Sequence, residues 1–535
     1  MRPRTLPLVV ATGLLAACTG AQDEAEARAA TVALSTPDER LTVVPGSGPA
    51  ASVGASRALF ERSDVAVVAE ADDRAATLLG ASAAVGLGVP LLVTDGSPVV
   101  GEELERLAVT DVLAVGEVEL PSGGPAVVAV PAVPDAVEKA AGLEFSGADD
   151  VAGGGDAAAV AGLVGDRVTA LRAEGETPSG TAGERSLPRV DRSEPVDDVV
   201  VLATGESVAG IATARAAGAR VVVTGGTDPR ASADVVSALA EDPEAAVIAL
   251  GAGFATEDGL DWKVRTAATG EELPGGGQLL FPGRLLVALY GHPGTSSLGL
   301  LGEQDLAGSI TRAREQAAPY EDVVDTTVVP TFELIATVAS SAPGEDGDYS
   351  SEAPVEQLRP WVEAAGREGV YVVLDLQPGR TDFLTQAKRY EELLALPHVG
   401  LALDPEWRLR PDGEHLSEIG QVGVDEVNQV VTWLADLTQE NALPQKLLVL
   451  HQFQLRMVTG RERLDLTRDE LAVMVHADGQ GATGAKLGTW AALRAGAQPE
   501  LAWGWKNFID EDEPMLSPAE TIARVSPTPQ LISYQ

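Results

Sequence analysis

The sequence predicts two α/β architectures in series: a duplicated βαβαβ module, then an eight-stranded (β/α)8 barrel. Three observations carry this. Residues 280–535 hold eight short apolar runs separated mostly by amphipathic helical stretches, the size and rhythm of such a barrel. Residues 40–260 show one βαβαβ pattern twice, which implies parallel strands and a Rossmann-like pair. Histidines, carboxylates and indoles gather at the C-terminal ends of the later runs, the end at which a parallel barrel holds its chemistry.

The eight predicted barrel strands are residues 284–290, 327–335, 370–376, 399–404, 446–451, 471–476, 501–505 and 530–534. Helical periodicity fits 305–316, 355–366, 383–396, 424–437, 483–495 and 518–525. Only the fifth connection is poor, with 457–466 as its short helix. A doubly wound open sheet is the alternative arrangement. A glycine-rich hinge at 271–277 separates the two halves.

In the N-terminal half, strands at 65–69, 89–94 and 112–116 are answered by strands at 199–203, 221–224 and 247–251. Leu92-Val93-Thr94-Asp95-Gly96 matches Val222-Val223-Thr224-Gly225-Gly226, a duplication. Residues 172–198, dense in Gly, Pro, Ser, Thr and charge, read as a linker between the copies. Neither first strand is followed by a phosphate-cradling glycine motif, which argues against nucleotide binding. Gly88-Val89-Pro90-Leu91-Leu92-Val93-Thr94, Val112 to Gly116 and Arg40-Leu41-Thr42-Val43-Val44-Pro45-Gly46 together resemble the cell wall-binding repeat type 2 of Gram-positive surface proteins. That resemblance implies a wall-polymer-binding module. The family's phenylalanine-aspartate-alanine stretch is replaced here by residues 70–74 and 205–208.

Residues 1–17 have the form of a signal peptide: Arg2 and Arg4, then an apolar run too short for the about 20 residues a membrane span needs. Leu15-Ala16-Ala17-Cys18 resembles a bacterial lipobox, which implies lipidation at Cys18. Cys18 is the single cysteine, so no internal disulfide forms. Residues 18–39 read as a tether, and the expected location is the outer face of the cytoplasmic membrane, reached through lipid alone.

With 80 acidic against 38 basic residues, the net charge of -42 repels nucleic acid across the whole surface. No nucleic-acid partner is expected.

The run Val399-Gly400-Leu401-Ala402-Leu403-Asp404-Pro405-Glu406-Trp407 reads as a strand whose alternate residues share a face, so Asp404 and Glu406 point together into a crowded interior. Around them, at other strand ends, fall His292, Glu333, Asp375, His451, His476, Asp478, Trp503, Trp505 and Lys506, expected to line one mouth with Trp407. Two nearby carboxyls raise one pKa, as a proton donor near neutrality requires. The Asp-Pro-Glu ending resembles the Asp-x-Glu of the fourth strand in family 18 chitinases and family 25 muramidases, without the longer acidic run of the chitinases. By that resemblance Glu406 is a general acid/base and Asp404 its partner; the acid pair, the indoles beside it and the anchor at the envelope together make an envelope glycan the expected substrate.

Two other readings stand. A metal-dependent hydrolase would draw ligands from His292, His451, His476 and Asp478, although no His-x-His or His-Glu-x-x-His is present. A non-catalytic wall-binding lipoprotein would keep the indoles and not need the acid pair. No cofactor and no bound metal are expected on the first reading.

Overall fold

The computed structural model describes residues 29–120 and 123–535. The signal peptide, Cys18 and residues 19–28 of the tether lie outside the described residues, and the described part of the tether includes a strand, Ala30–Leu34, where a tether was expected. Among those described, no helix is long and apolar enough to cross a membrane.

The C-terminal half closes into a barrel of eight parallel strands. They are β1 (Arg284–Gly291), β2 (Thr327–Ala339), β3 (Tyr371–Leu376), β4 (Val399–Leu403), β5 (Lys446–Gln452), β6 (Leu471–Ala477), β7 (Ala502–Asn507) and β8 (Leu531–Tyr534). Each pairs with its sequence neighbours, and β1 pairs with both β2 and β8, so no edge is left and the open-sheet alternative is set aside. Apolar residues on both faces of the strands, aliphatic on most and tryptophan on the outer face of β7, suit a sheet wrapped outside by helices and filled inside by its own side chains.

The outer layer packs Leu285, Val287, Phe332, Leu374, Leu401 and Leu448 against the helices Leu306–Glu321, Val355–Arg367 and Val424–Glu440. The lumen is filled by the alternate residues Leu286, Ala288, Tyr371, Val373, Ala402, Leu447, Val449 and Met474. Gly400 is required there: a Cβ would lie 2.7 Å from the Leu447 carbonyl oxygen and 2.9 Å from the Tyr371 hydroxyl. The connection from β5 to β6 carries two short 3-10 turns, Leu455–Met457 and Arg461–Arg463, in place of the expected helix. The expected hinge at 271–277 is no loose joint, because Leu273 and Leu280 belong to the lumen core.

In the N-terminal half, strands Val65–Glu70, Leu91–Thr94 and Asp111–Val115 form one parallel sheet with Ala126–Val130. Strands Val199–Thr204, Arg220–Thr224 and Ala246–Leu250 form another, completed by Leu41–Val44 from the start of the chain. The two sheets share one strand order, with the first strand of each copy in the middle. The stretch between them is more structured than the linker expectation. Ala148–Val151 and Ala170–Ala173 form a small parallel pair after the helix Pro134–Ala141. Within residues 174–198 only Val190–Asp191 is a strand, paired with Ala30–Thr31.

Contact between the halves includes a cationic knot. Buried Lys263 Nζ meets Asp469 at 2.5 Å and also Glu257, while Arg230 stacks 4.4 Å from the Trp262 ring and donates to the Asp469 carbonyl at 3.1 Å.

Candidate functional site

Alternation along each strand decides what reaches the lumen. Above the aliphatic layers, the inward positions become polar together: Tyr290 on β1, Glu333 on β2, Asp375 on β3, His451 on β5, His476 on β6, Lys506 on β7 and Ser533 on β8, with Asp404 just past the end of β4. Eight strands thus present eight polar groups at one level. All are buried.

Hydrogen bonds knit this layer. His451 sits between two carboxylates, with Nε2 2.8 Å from Glu333 Oε1 and Nδ1 2.9 Å from Asp478 Oδ2. Lys506 Nζ lies 3.2 Å from Asp478 Oδ1 and 3.8 Å from the Tyr290 ring centroid. The Tyr290 hydroxyl donates to Asp375 Oδ2 at 2.8 Å and accepts from Gln377 Nε2 at 3.2 Å. His476 Nε2 meets the Ser533 hydroxyl at 3.1 Å. Gly504 makes room for this imidazole, since a Cβ there would lie 2.7 Å from His476 Cδ2.

Above this layer opens a cavity of about 550 Å3, lined by Tyr290, Gln377, Asp404, Glu406, Trp407, His415, Phe453, Asp478, Lys506 and Phe508 among others. Its rim includes the upper end of β2, which runs on past Ile335 and pairs antiparallel with Ser350–Glu352. Trp407 stacks on His415 at 5.1 Å, the rings 15° from parallel.

Asp404 and Glu406 reach this cavity by a route different from the expected one. The strand ends at Leu403, and Pro405–Trp407 is a 3-10 turn. Pro405 has no N–H for a ladder, and Asp404 caps the turn by accepting the Glu406 N–H at 3.1 Å. Both carboxyls still line the cavity, and Arg408 binds Glu426 instead of either of them.

Burial sets the electrostatics. It pushes the Asp404 carboxyl well above the ordinary value, and the negative charge of Asp375 and Glu406 adds to it against the pull of His451. Half-buried Glu406 is also raised, by burial first and then by Asp478, which outweigh Lys506. Burial alone would strip the proton from His451, yet Glu333 and Asp478 hold it on. For Asp478, burial is overcome by Lys506 and the His451 hydrogen bond, and the carboxyl is held well below its ordinary range.

Of the expected mouth residues, Glu333, Asp375, His451 and His476 lie fully buried beneath the cavity and do not line it, and three more lie elsewhere. Trp503 and Trp505 point the other way: Lys506 faces the lumen, so the odd-numbered neighbours on β7 face the helices, and both indoles pack edge-on against Trp490. His292 lies in the loop after β1, where its Nδ1 accepts the Gly294 N–H at 3.0 Å, and it does not line the cavity. Tyr290, Gln377, Phe453, Phe508 and Ser533 were not anticipated; only Tyr290, at the end of its predicted strand, carried a positional signal.

Among metal-ligating groups, Glu333, His451 and His476 offer atoms within 4.8 Å of one another, as do Asp346, Asp348 and Glu352 in the loop after β2. His292 is in neither set.

No protein-family model matches the chain, and no curated protein does. Among solved structures the chain is similar to Cwp6 from Clostridium difficile, at 13% identity and a TM-score of 0.32. The match covers 64% of this chain and 66% of that one, just under two thirds of its length.

Proposed function

We propose that the barrel holds an envelope glycan in the cavity over its strand ends and hydrolyses it, with Glu406 as general acid/base. The observation that carries this reading is that Asp404, Glu406 and Asp478 face one cavity together with Trp407, Phe453 and Phe508. Sugar rings pack their apolar faces on aromatic rings, and glycosidic cleavage takes one carboxyl that gives a proton and one that stays anionic.

Glu406 is the proton donor: half-buried, with its carboxyl raised, it meets the solvent-facing space a leaving oxygen would occupy. As the proton moves to that oxygen, the carbon–oxygen bond breaks and its electron pair stays with the leaving sugar. The cationic sugar ring left behind is faced by Asp478, an anion ion-paired with Lys506, until a water molecule adds to its anomeric carbon and gives a proton to the Glu406 carboxylate, which restores the acid. Asp404 is the partner of Glu406 in a positional sense, fixing its backbone through the 3.1 Å hydrogen bond.

The envelope setting rests on the sequence of residues 1–18, which would tether the mature chain through Cys18. In this proposal residues 40–260 and 280–535 are the two modules, and the first helps hold the chain at the wall. The test is a reducing-end release and binding screen over cell-wall polysaccharide fractions, run on the wild type. Release supports hydrolysis, binding without release supports a non-catalytic glycan-binding barrel, and neither binding nor release overturns the proposal.

A further inference from the structure

We propose that the layer beneath the cavity is a binding site for one divalent metal ion of the Zn2+ class, held by Glu333, His451 Nε2, His476 Nδ1 and Asp375. The site is independent of the role given to Glu406. It is built from residues that no step of the proposed hydrolysis uses as a reactant.

Three buried polar atoms at one level have no hydrogen-bond partner: Glu333 Oε2, Asp375 Oδ1 and His476 Nδ1. Buried lone pairs are almost always satisfied, and these three stand together at one level of the barrel. Each can accept or coordinate.

Glu333, His451 and His476 offer ligand atoms within 4.8 Å of one another, and Asp375, which stands beside that set, would turn in to complete it. Glu333 Oε1 is 2.8 Å from His451 Nε2 and 3.9 Å from His476 Nδ1, and Asp375 Oδ1 is 3.9 Å from His451 Nε2. Tetrahedral ligands on bonds of about 2.0–2.1 Å stand roughly 3.4 Å apart, between the observed values. Small side-chain shifts close the set.

The outer contacts already orient both imidazoles. His451 Nδ1 faces the Asp478 carboxylate and His476 Nε2 faces the Ser533 hydroxyl, which leaves Nδ1 of the second unpartnered and turns Nε2 of the first toward Glu333, where an entering metal ion would replace its proton. Such outer partners fix the tautomer of metal-bound histidine. Two imidazoles with two carboxylates suit a borderline ion better than Ca2+ or Mg2+, which prefer all-oxygen sites.

Five carboxyl groups, those of Glu333, Asp375, Asp404, Glu406 and Asp478, stand at the strand ends against Lys506 and the protonated His451, whose proton the metal ion would replace. Lys486 nearby is already paired with Asp512. Four protein ligands leave no open position, so the ion ties β2, β3, β5 and β6 together and does not carry a reactive water.

The test uses the chain stripped with a chelator, dialysed, and titrated with ZnCl2 while metal content and melting temperature are followed. About one tightly held equivalent and a rise in melting temperature are expected in the wild type. Glu333→Gln should lose both. Asp348→Asn, in the acidic loop cluster, should keep both, as should Glu406→Gln, which separates this inference from the hydrolytic one. If Glu333→Gln does not fold, Ser533→Ala replaces it, with one equivalent retained and affinity lowered about 10- to 100-fold. No tight zinc in the wild type, zinc unaffected by Glu333→Gln or Ser533→Ala, or zinc lost in Asp348→Asn would each overturn the proposal.

Discussion

Asp404 Oδ1 accepts the backbone N–H of Glu406 at 3.1 Å, and this hydrogen bond, rather than strand alternation, holds the two acids at one cavity. Its removal should loosen the 3-10 turn that aims Glu406. Asp404→Asn keeps an acceptor at the same place and should leave glycan binding intact. Asp404→Ala should cost about 1 kcal/mol of stability and lower the release rate more than Asp404→Asn does, as read by denaturant unfolding and release assays.

The tryptophans should separate by side. Trp407 lines the cavity, and Trp407→Ala should weaken glycan binding with little change in unfolding free energy. Trp505 is buried between strand and helix, and Trp505→Ala should destabilise the fold by about 3–5 kcal/mol. Equal effects of the two on binding would contradict this assignment.

Lys446 should give stability a pH dependence. Its Nζ is buried at the lower end of β5, donating to the Leu396 and Val399 carbonyls, and burial pushes its pKa from 10.5 down to about 7. Between those values the unfolded chain binds more protons than the folded one, so stability rises with pH across that window. At lower pH both states are protonated and the burial penalty is complete. The difference in unfolding free energy between the wild type and Lys446→Met should therefore shift in favour of the wild type from pH 7 to 10. A constant difference would show that the lysine does not titrate there.

Limited proteolysis should cut within residues 174–189, which are largely exposed and carry no strand or helix. It should spare Gly275, whose neighbours Leu273 and Leu280 are buried in the barrel lumen. First cleavage at Gly275 would contradict that placement.

Much of this was legible in the sequence, for reasons that differ by element. Most barrel strands are compact apolar runs of strand length ending in polar residues, and those runs, set between helical stretches, were enough to find them. The position of His451 and Asp478 at strand ends pointed to the site. What alternation alone could not decide was phase: one residue separates Lys506 in the lumen from Trp505 in the outer layer, and only the closed sheet sets which is which. Pro405 was the overlooked signal on β4, since a residue without an N–H ends the ladder. The strand Ala148–Val151 was missed because most of its residues are exposed, leaving no hydrophobic pattern to read.

The most direct measurement compares the wild type with Glu406→Gln on two substrates: a cleaved glycan, and an aryl glycoside whose leaving group departs without protonation. Loss of a general acid should slow glycan release about 10²- to 10⁴-fold while aryl glycoside cleavage is nearly retained. Equal release of the glycan by both proteins would remove Glu406 from the mechanism.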